Sequence, residues 1–189
     1  MFKKLMLVAM ALGALVAFAI PAGATAATGE LTVEGKLLKP GSSVTAKGNI
    51  GGVQTFGSWT CTVTLQGTVI KNTAEGSTSA IKSSSTEGCR YLTLLEYPVT
   101  FTNLTGTLGF GSISRLFLSG SETGLPDPFD ECDLGEGAFV GVNYTPGSST
   151  FSIAGTVPLE GGHSYCGHAT FATQGQFSLT SGSKPVVVH

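Results

Sequence analysis

The chain has 189 residues, a formal net charge of −2 and a charged fraction of 12%, about half the share of an ordinary soluble protein. So weak and slightly acidic a balance supplies no basic field to gather phosphates, which removes nucleic acid as an expected partner. Gly, Ser and Thr fill the polar positions instead, a composition suited to strands and turns.

The first element is an address. Met1-Phe2-Lys3-Lys4 carries two positive charges, and Leu5 to Ile20 then runs without a charged or polar side chain. Pro21 ends that run, and Ala22-Gly23-Ala24-Thr25-Ala26-Ala27 offers small residues to a signal peptidase. This order reads as a secretory signal peptide over residues 1–26, cut after Ala26, with a cut after Ala24 as the alternative. The apolar run is short for a bilayer span, so no integral membrane segment is expected after cleavage. Residues 27–189 are then a single β domain carrying eight Lys/Arg and all twelve Asp/Glu. That size admits one real core.

Past the leader the pattern is alternation at period two, broken by Gly, Ser, Asn and Pro, with almost no helical period. Leu31 to Glu34 opens the domain and Pro40-Gly41 turns it. A weak segment follows at 43–47. Trp59 to Lys71 is the clearest strand: Trp59, Cys61, Val63, Leu65, Gly67 and Val69 share one face, and Thr60, Thr62, Thr64, Gln66 and Thr68 the other. A second weak segment lies at 77–83. Leu92 to Leu108 carries Pro98, which belongs at an edge or a bulge. Ile113 to Ser119, a hairpin over 138–157, and Ala169 to Thr180 complete the set. The expected fold is all-β, an antiparallel sandwich of about nine to eleven strands, with a small closed β-barrel as the alternative. Trp59 precedes Cys61, so the immunoglobulin order of Cys before Trp is not met.

Cys61, Cys89, Cys132 and Cys166 all follow the leader, and an even count in an exported chain favours two disulfides. Of three possible pairings, Cys61–Cys89 with Cys132–Cys166 is expected, because each pair staples a local strand unit. Each bridge would add about 3–4 kcal/mol on a chain-entropy account. The paired short spacings of a zinc site are missing.

Trp59-Thr60-Cys61-Thr62-Val63-Thr64-Leu65-Gln66-Gly67, followed by Gly88-Cys89, resembles a strand of small exported β-rich proteins from high-GC Gram-positive bacteria. In those proteins an aromatic-x-Cys-x-Val-x-Leu-x-Gly strand precedes a later Gly-Cys. The resemblance covers residues 56–108. It implies export past one membrane, to the medium or the wall, and brings no activity or ligand.

Three groups bear on chemistry. Asp127, Asp130, Glu131, Asp133 and Glu136 crowd a loop around Cys132. Oxygen ligands on a turn suit Ca²⁺, but the spacing is not that of an EF-hand, and a solvated acidic loop is the plainer reading. His163, Cys166 and His168 could ligate a metal only if Cys166 were reduced. Ser164 beside them lacks the Gly-x-Ser-x-Gly context of a nucleophile. Glu96, Glu122 and Glu160 would serve a glycosidase only if two of them converged across a cleft. Asn103-Leu104-Thr105 and Asn143-Tyr144-Thr145 match the N-glycosylation sequon, which short sequences match by chance.

No catalytic residue and no cofactor is therefore assigned. The function expected is a non-catalytic exported interaction or structural domain, at the cell surface or released. A secreted hydrolase of polysaccharide or peptide, a membrane β-barrel and a carrier with a small apolar pocket are the alternatives. N-terminal sequencing of the released protein should find Ala27 at or next to the start; recovery of residues 1–26 on released material would overturn the export reading.

Overall fold

The computed structural model describes residues 28–54, 57–91, 100–112, 114–123, 131–134, 139–160, 168–173 and 176–189. Period-two alternation becomes strand throughout them, with no helix. The strands are β1 (Leu31–Val33), β2 (Lys36–Leu37), β3 (Ser43–Gln54), β4 (Gly57–Thr73), β5 (Gly76–Tyr91), β6 (Thr100–Gly111) and β7 (Arg115–Thr123). They continue as β8 (Glu131–Leu134), β9 (Phe139–Tyr144), β10 (Thr150–Glu160), β11 (His168–Thr173), β12 (Phe177–Ser181), β13 (Lys184–Pro185) and β14 (Val187–Val188).

The all-β expectation holds in its alternative form, a small closed barrel in place of the sandwich: the sheet closes on itself. β3 to β7 run as an antiparallel meander, and β7 pairs with both β8 and β9. Those two pair with β10, β10 pairs with β11 and β12, and both of these return to β3. The result is a closed barrel of eight wall positions, two of them filled by two short strands in series, with β13 outside the ring. In a sandwich β3 and β10 would be separate edges; here β11 and β12 hydrogen-bond to both. Closure removes the exposed edges that an open sheet must otherwise protect.

Each split wall carries the same insertion. Leu134 to Phe139 spans five steps where β7 takes three, from Gly120 to Phe117. Ala172 to Phe177 spans five where β10 takes three, from Ala154 to Phe151. Two extra residues is an even number, so alternation of inner and outer faces survives both breaks. The expected single strand over 169–180 is thus two collinear pieces. Part of the expected acidic loop, Glu131–Leu134, is strand β8.

An eight-position barrel is just wide enough for side chains to fill its interior. Trp59, Cys61, Val63, Leu65 and Val69 of β4 are all buried, as their alternation requires. Facing them, β3 turns Val44, Ala46, Gly48, Ile50 and Gly52 inward. The two glycines make room for rings. Gly52 pairs with Trp59, and a methyl group there would overlap the indole Cε2 and Cζ2. A methyl on Gly48 would stand 2.8 Å from Phe177 Cγ. Lower in the barrel Phe151 stacks on Phe177 with centroids 5.0 Å apart, and Phe110 meets Phe151 edge-on.

A second sheet, β14-β1-β2, lies against the end of the barrel that carries the β4–β5, β6–β7 and β9–β10 turns. Its Leu31, Val186 and Val188 join the same core. Asn72 of β4 fastens it: its Oδ1 accepts from Leu31 N at 2.9 Å, and its Nδ2 donates to Leu31 O and Leu38 O. Buried Ser77 donates to Gly29 O at 2.6 Å.

Trp59→Ala removes the ring that fills the opposite end of the interior and should cost about 3–5 kcal/mol. Gly52→Ala should cost about 1–3 kcal/mol by overpacking the same ring. Urea titration followed by far-UV circular dichroism reads both; an unchanged midpoint for Trp59→Ala would place the indole outside the core.

Candidate functional site

The barrel interior holds no ligand chamber among the described residues. Its one void of note, lined by Val44, Ala46, Leu65, Ser79, Ile81 and Leu108 among others, measures about 10 Å³, the room of about one water molecule. Any binding surface would therefore lie on the outer wall or at the two ends.

At the end away from the β14-β1-β2 sheet, the register brings several sequence candidates onto neighbouring strands. Glu122 of β7 pairs with Cys132 of β8, Thr123 with Glu131, and Glu160 of β10 with Asp133. His168 opens β11 opposite Pro158. Residues 122, 131, 133 and 160, far apart in the chain, thus lie on neighbouring strands at one end of the barrel. Asp127, Asp130, Glu136, Glu96, His163, Ser164 and Cys166 lie outside the described residues. Among the described residues no three His, Cys, Asp or Glu side chains gather as a metal site.

The outer wall is hydroxylic. Along β4 the outward row is Thr60, Thr62, Thr64, Gln66 and Thr68, with Lys47 and Asn49 of β3 and Ser83, Ser85 and Glu87 of β5 beside it. Thr62 Oγ1 donates to Asn49 Oδ1 at 2.8 Å. A bilayer-spanning barrel needs an apolar outer band; this wall has the reverse arrangement, apolar inside and hydroxyl outside. Ile70 and Leu37 are the exposed large hydrophobics of the described surface. Trp59, whose exposure would have marked a platform for sugars, is fully buried.

Among the described residues a concavity lies on that wall. It follows β10 beside the β9–β10 turn, has a volume of about 180 Å³, and is lined by Asn143, Tyr144, Thr145, Ser148, Thr150, Ser152 and Gln176. The turn Thr145-Pro146-Gly147-Ser148 shapes it: Ser148 N donates to Thr145 O at 3.0 Å and Gly147 takes φ 85°. Pro then Gly at the two central positions is what a type II turn requires. Gly147 N donates to Val188 O at 2.7 Å, and Val188 N returns a bond to Ser148 O at 2.9 Å. Thr150 N donates to Ser148 Oγ at 3.0 Å, and the two hydroxyls are 2.9 Å apart. The Tyr144 ring meets Phe110 edge-on, centroids 5.4 Å apart. Sequence reading found these residues as parts of the hairpin 138–157 and the strand 169–180 but did not bring them together, because the groove depends on Gln176 arriving from the far side of β10.

Cys61 and Cys89 are bonded, joining adjacent strands β4 and β5. The bridge sits where the β4–β5 register slips between Thr60 and Thr62, with Gly88 at φ 63°. No family model matches the chain, and neither the curated proteins nor the solved structures contain a match to it.

The second pairing, Cys132 with Cys166, rests on the sequence, since Cys166 lies outside the described residues. Non-reducing peptide mapping should return Cys61–Cys89 and Cys132–Cys166 as the two linked peptides. A peptide joining Cys61 to Cys132 would refute both assignments.

Proposed function

We propose that the protein is an exported, non-catalytic interaction or structural domain that works at the cell surface or in the medium. The observation that carries this reading is the filled interior. With Trp59, Phe110, Phe151 and Phe177 occupying the barrel, the fold offers its outside, and the described outer face of β4 is a row of hydroxyls and an amide. A carrier in the manner of ligand-binding barrels would need those rings replaced by space. The Cys61–Cys89 bridge supports an oxidising destination, in line with the leader read over residues 1–26.

Fractionation of producing cells tests the proposal. The protein should appear oxidised and water-soluble in the medium, or be released from the wall fraction without detergent. Recovery only in the detergent-dependent membrane fraction, or with both Cys61 and Cys89 reduced, would overturn it.

A further inference from the structure

Strand β5 changes character at Lys82. Up to Ile81 it is paired on both sides, with β4 and with β6, and Ser77, Ser79 and Ile81 are buried. Lys82 is the extra residue where the β4–β5 register slips, since Gln66 pairs with Ser83 and Gly67 with Ile81. Among the described residues the pairing with β6 ends at the same place, Ile81 with Gly106. From Ser83 to Glu87 the strand is then held on one side, by Thr62 to Gln66 of β4. Its side chains add little to that hold. Lys82-Ser83-Ser84-Ser85-Thr86-Glu87-Gly88 contains no apolar side chain, and none of these residues is buried. Ser84 and Thr86 lie opposite Leu65 and Val63, so the inward face of this stretch is hydroxylic and half-buried. One-sided pairing with so little apolar burial places a segment at the low end of local stability.

The disulfide sits where this hold is renewed. Cys89 packs against the core and is bonded to buried Cys61. β4 does not depend on β5 in return, because it pairs with β3 from Thr68 to Gly57 with no slip. The bridge therefore ties a weakly held stretch to a firmly held wall. Its two cysteines are 28 residues apart, and a cross-link over a loop of that length suppresses opening about a hundredfold.

We infer that Cys61–Cys89 is a redox latch, whose reduction by a dithiol releases β5 from Lys82 to Cys89 and opens the barrel wall beside Trp59. Cys89 is half-buried and Cys61 is buried, so attack falls on Cys89. The first thiolate of the reductant bonds to Cys89 Sγ, the bond to Cys61 breaks, and Cys61 leaves as a thiolate that takes up a proton. The second thiolate then attacks the reductant's own sulfur in the mixed disulfide. Cys89 leaves and is protonated, and the reductant departs as its disulfide, having given two electrons and two protons to the pair. The freed stretch detaches from β4 and bares backbone groups of Thr62 to Gln66 that the closed wall keeps paired. The rest of the ring keeps its ladders, because β4 stays on β3 and β6 on β7. The oxidised domain proposed above is the closed state of this latch.

Hydrogen exchange of the secreted protein, oxidised and in dithiothreitol, tests the latch, with the oxidised Cys61→Ala/Cys89→Ala variant beside it. Reduction and the double variant should each speed exchange of the protected amides at 83–89 about a hundredfold. Amides of β3, β10 and β12 should change less than about threefold, and removal of dithiothreitol in air should restore the original rates. Cys89→Ala alone gives the same reading where the double variant does not fold. Equal acceleration over the whole barrel, or loss of the fold on reduction, would make the bridge a general staple and overturn the inference. So would unchanged exchange at 83–89. Release in dithiothreitol that is missing from the bridge-less variants would assign the effect to Cys132 and Cys166 and overturn it as well.

Discussion

The contact of the Trp59 indole with the bare backbone of Gly52 is the constraint from which much of this molecule follows. Eight wall positions enclose a cylinder that only a few large side chains can fill, and the rings that fill it need places where a neighbouring wall contributes no side chain. β3 provides two, Gly52 under Trp59 and Gly48 under Phe177. The stack then continues through Phe151 to Phe110 and out to Tyr144 at the rim. Aromatic bulk on one strand and glycine on the next are one design choice, since either without the other leaves a void or a clash.

The end of the barrel that carries the β14-β1-β2 sheet is closed by polar fastening over an apolar contact. Leu31, Val186 and Val188 give the sheet a reason to sit there, and Asn72 and Ser77 satisfy backbone groups that would otherwise be sealed unpaired. Asn72 is suited to this because one amide side chain supplies both an acceptor for Leu31 N and donors for two carbonyls. The same sheet steadies the β9–β10 turn through Val188. Rigidity at the β9–β10 turn is thus a by-product of sealing the barrel.

Most walls were legible as strands, and the reason some were faint is physical. β4 reads clearly because large apolar residues alternate with Thr. β3 looks like a short strand ending in turns, since Gly48, Gly51 and Gly52 resemble punctuation; two of them are spaces for Phe177 and Trp59. β5 is weak because its inner face is largely hydroxyl: Ser77 and Ser79 are buried beside Ile81, and past a register slip Ser84 and Thr86 lie opposite Leu65 and Val63. Each one-residue slip shifts the alternating pattern to the other parity, so a single period cannot be traced along the strand. β8 was hidden by its charges, Glu131 and Asp133 reading as loop. Closure itself was beyond local pattern, because it rests on Ile50 meeting Thr173 and Lys47 meeting Ser178, pairings between opposite ends of the chain. The groove was illegible for a related reason: Asn143 and Gln176 are distant in sequence and flank one strand only once β9 and β12 both pair with β10.

The disulfide belongs to this picture at the point where pairing is least determined. Along β4–β5 the register shifts three times, and the slip at Thr60/Thr62 lies beside the Trp59–Gly52 contact. A bulge there turns Cys89 to the same side as Cys61, with Gly88 adopting the left-handed conformation that a side chain would resist. A covalent tie across the slip excludes the neighbouring register, in which the inner and outer residues of β5 would exchange faces. Because β5 carries hydroxyls on both faces, apolar patterning discriminates weakly between those registers. The bridge supplies the discrimination that the side chains of β5 lack, and it does so next to the indole on which the filling of the barrel depends.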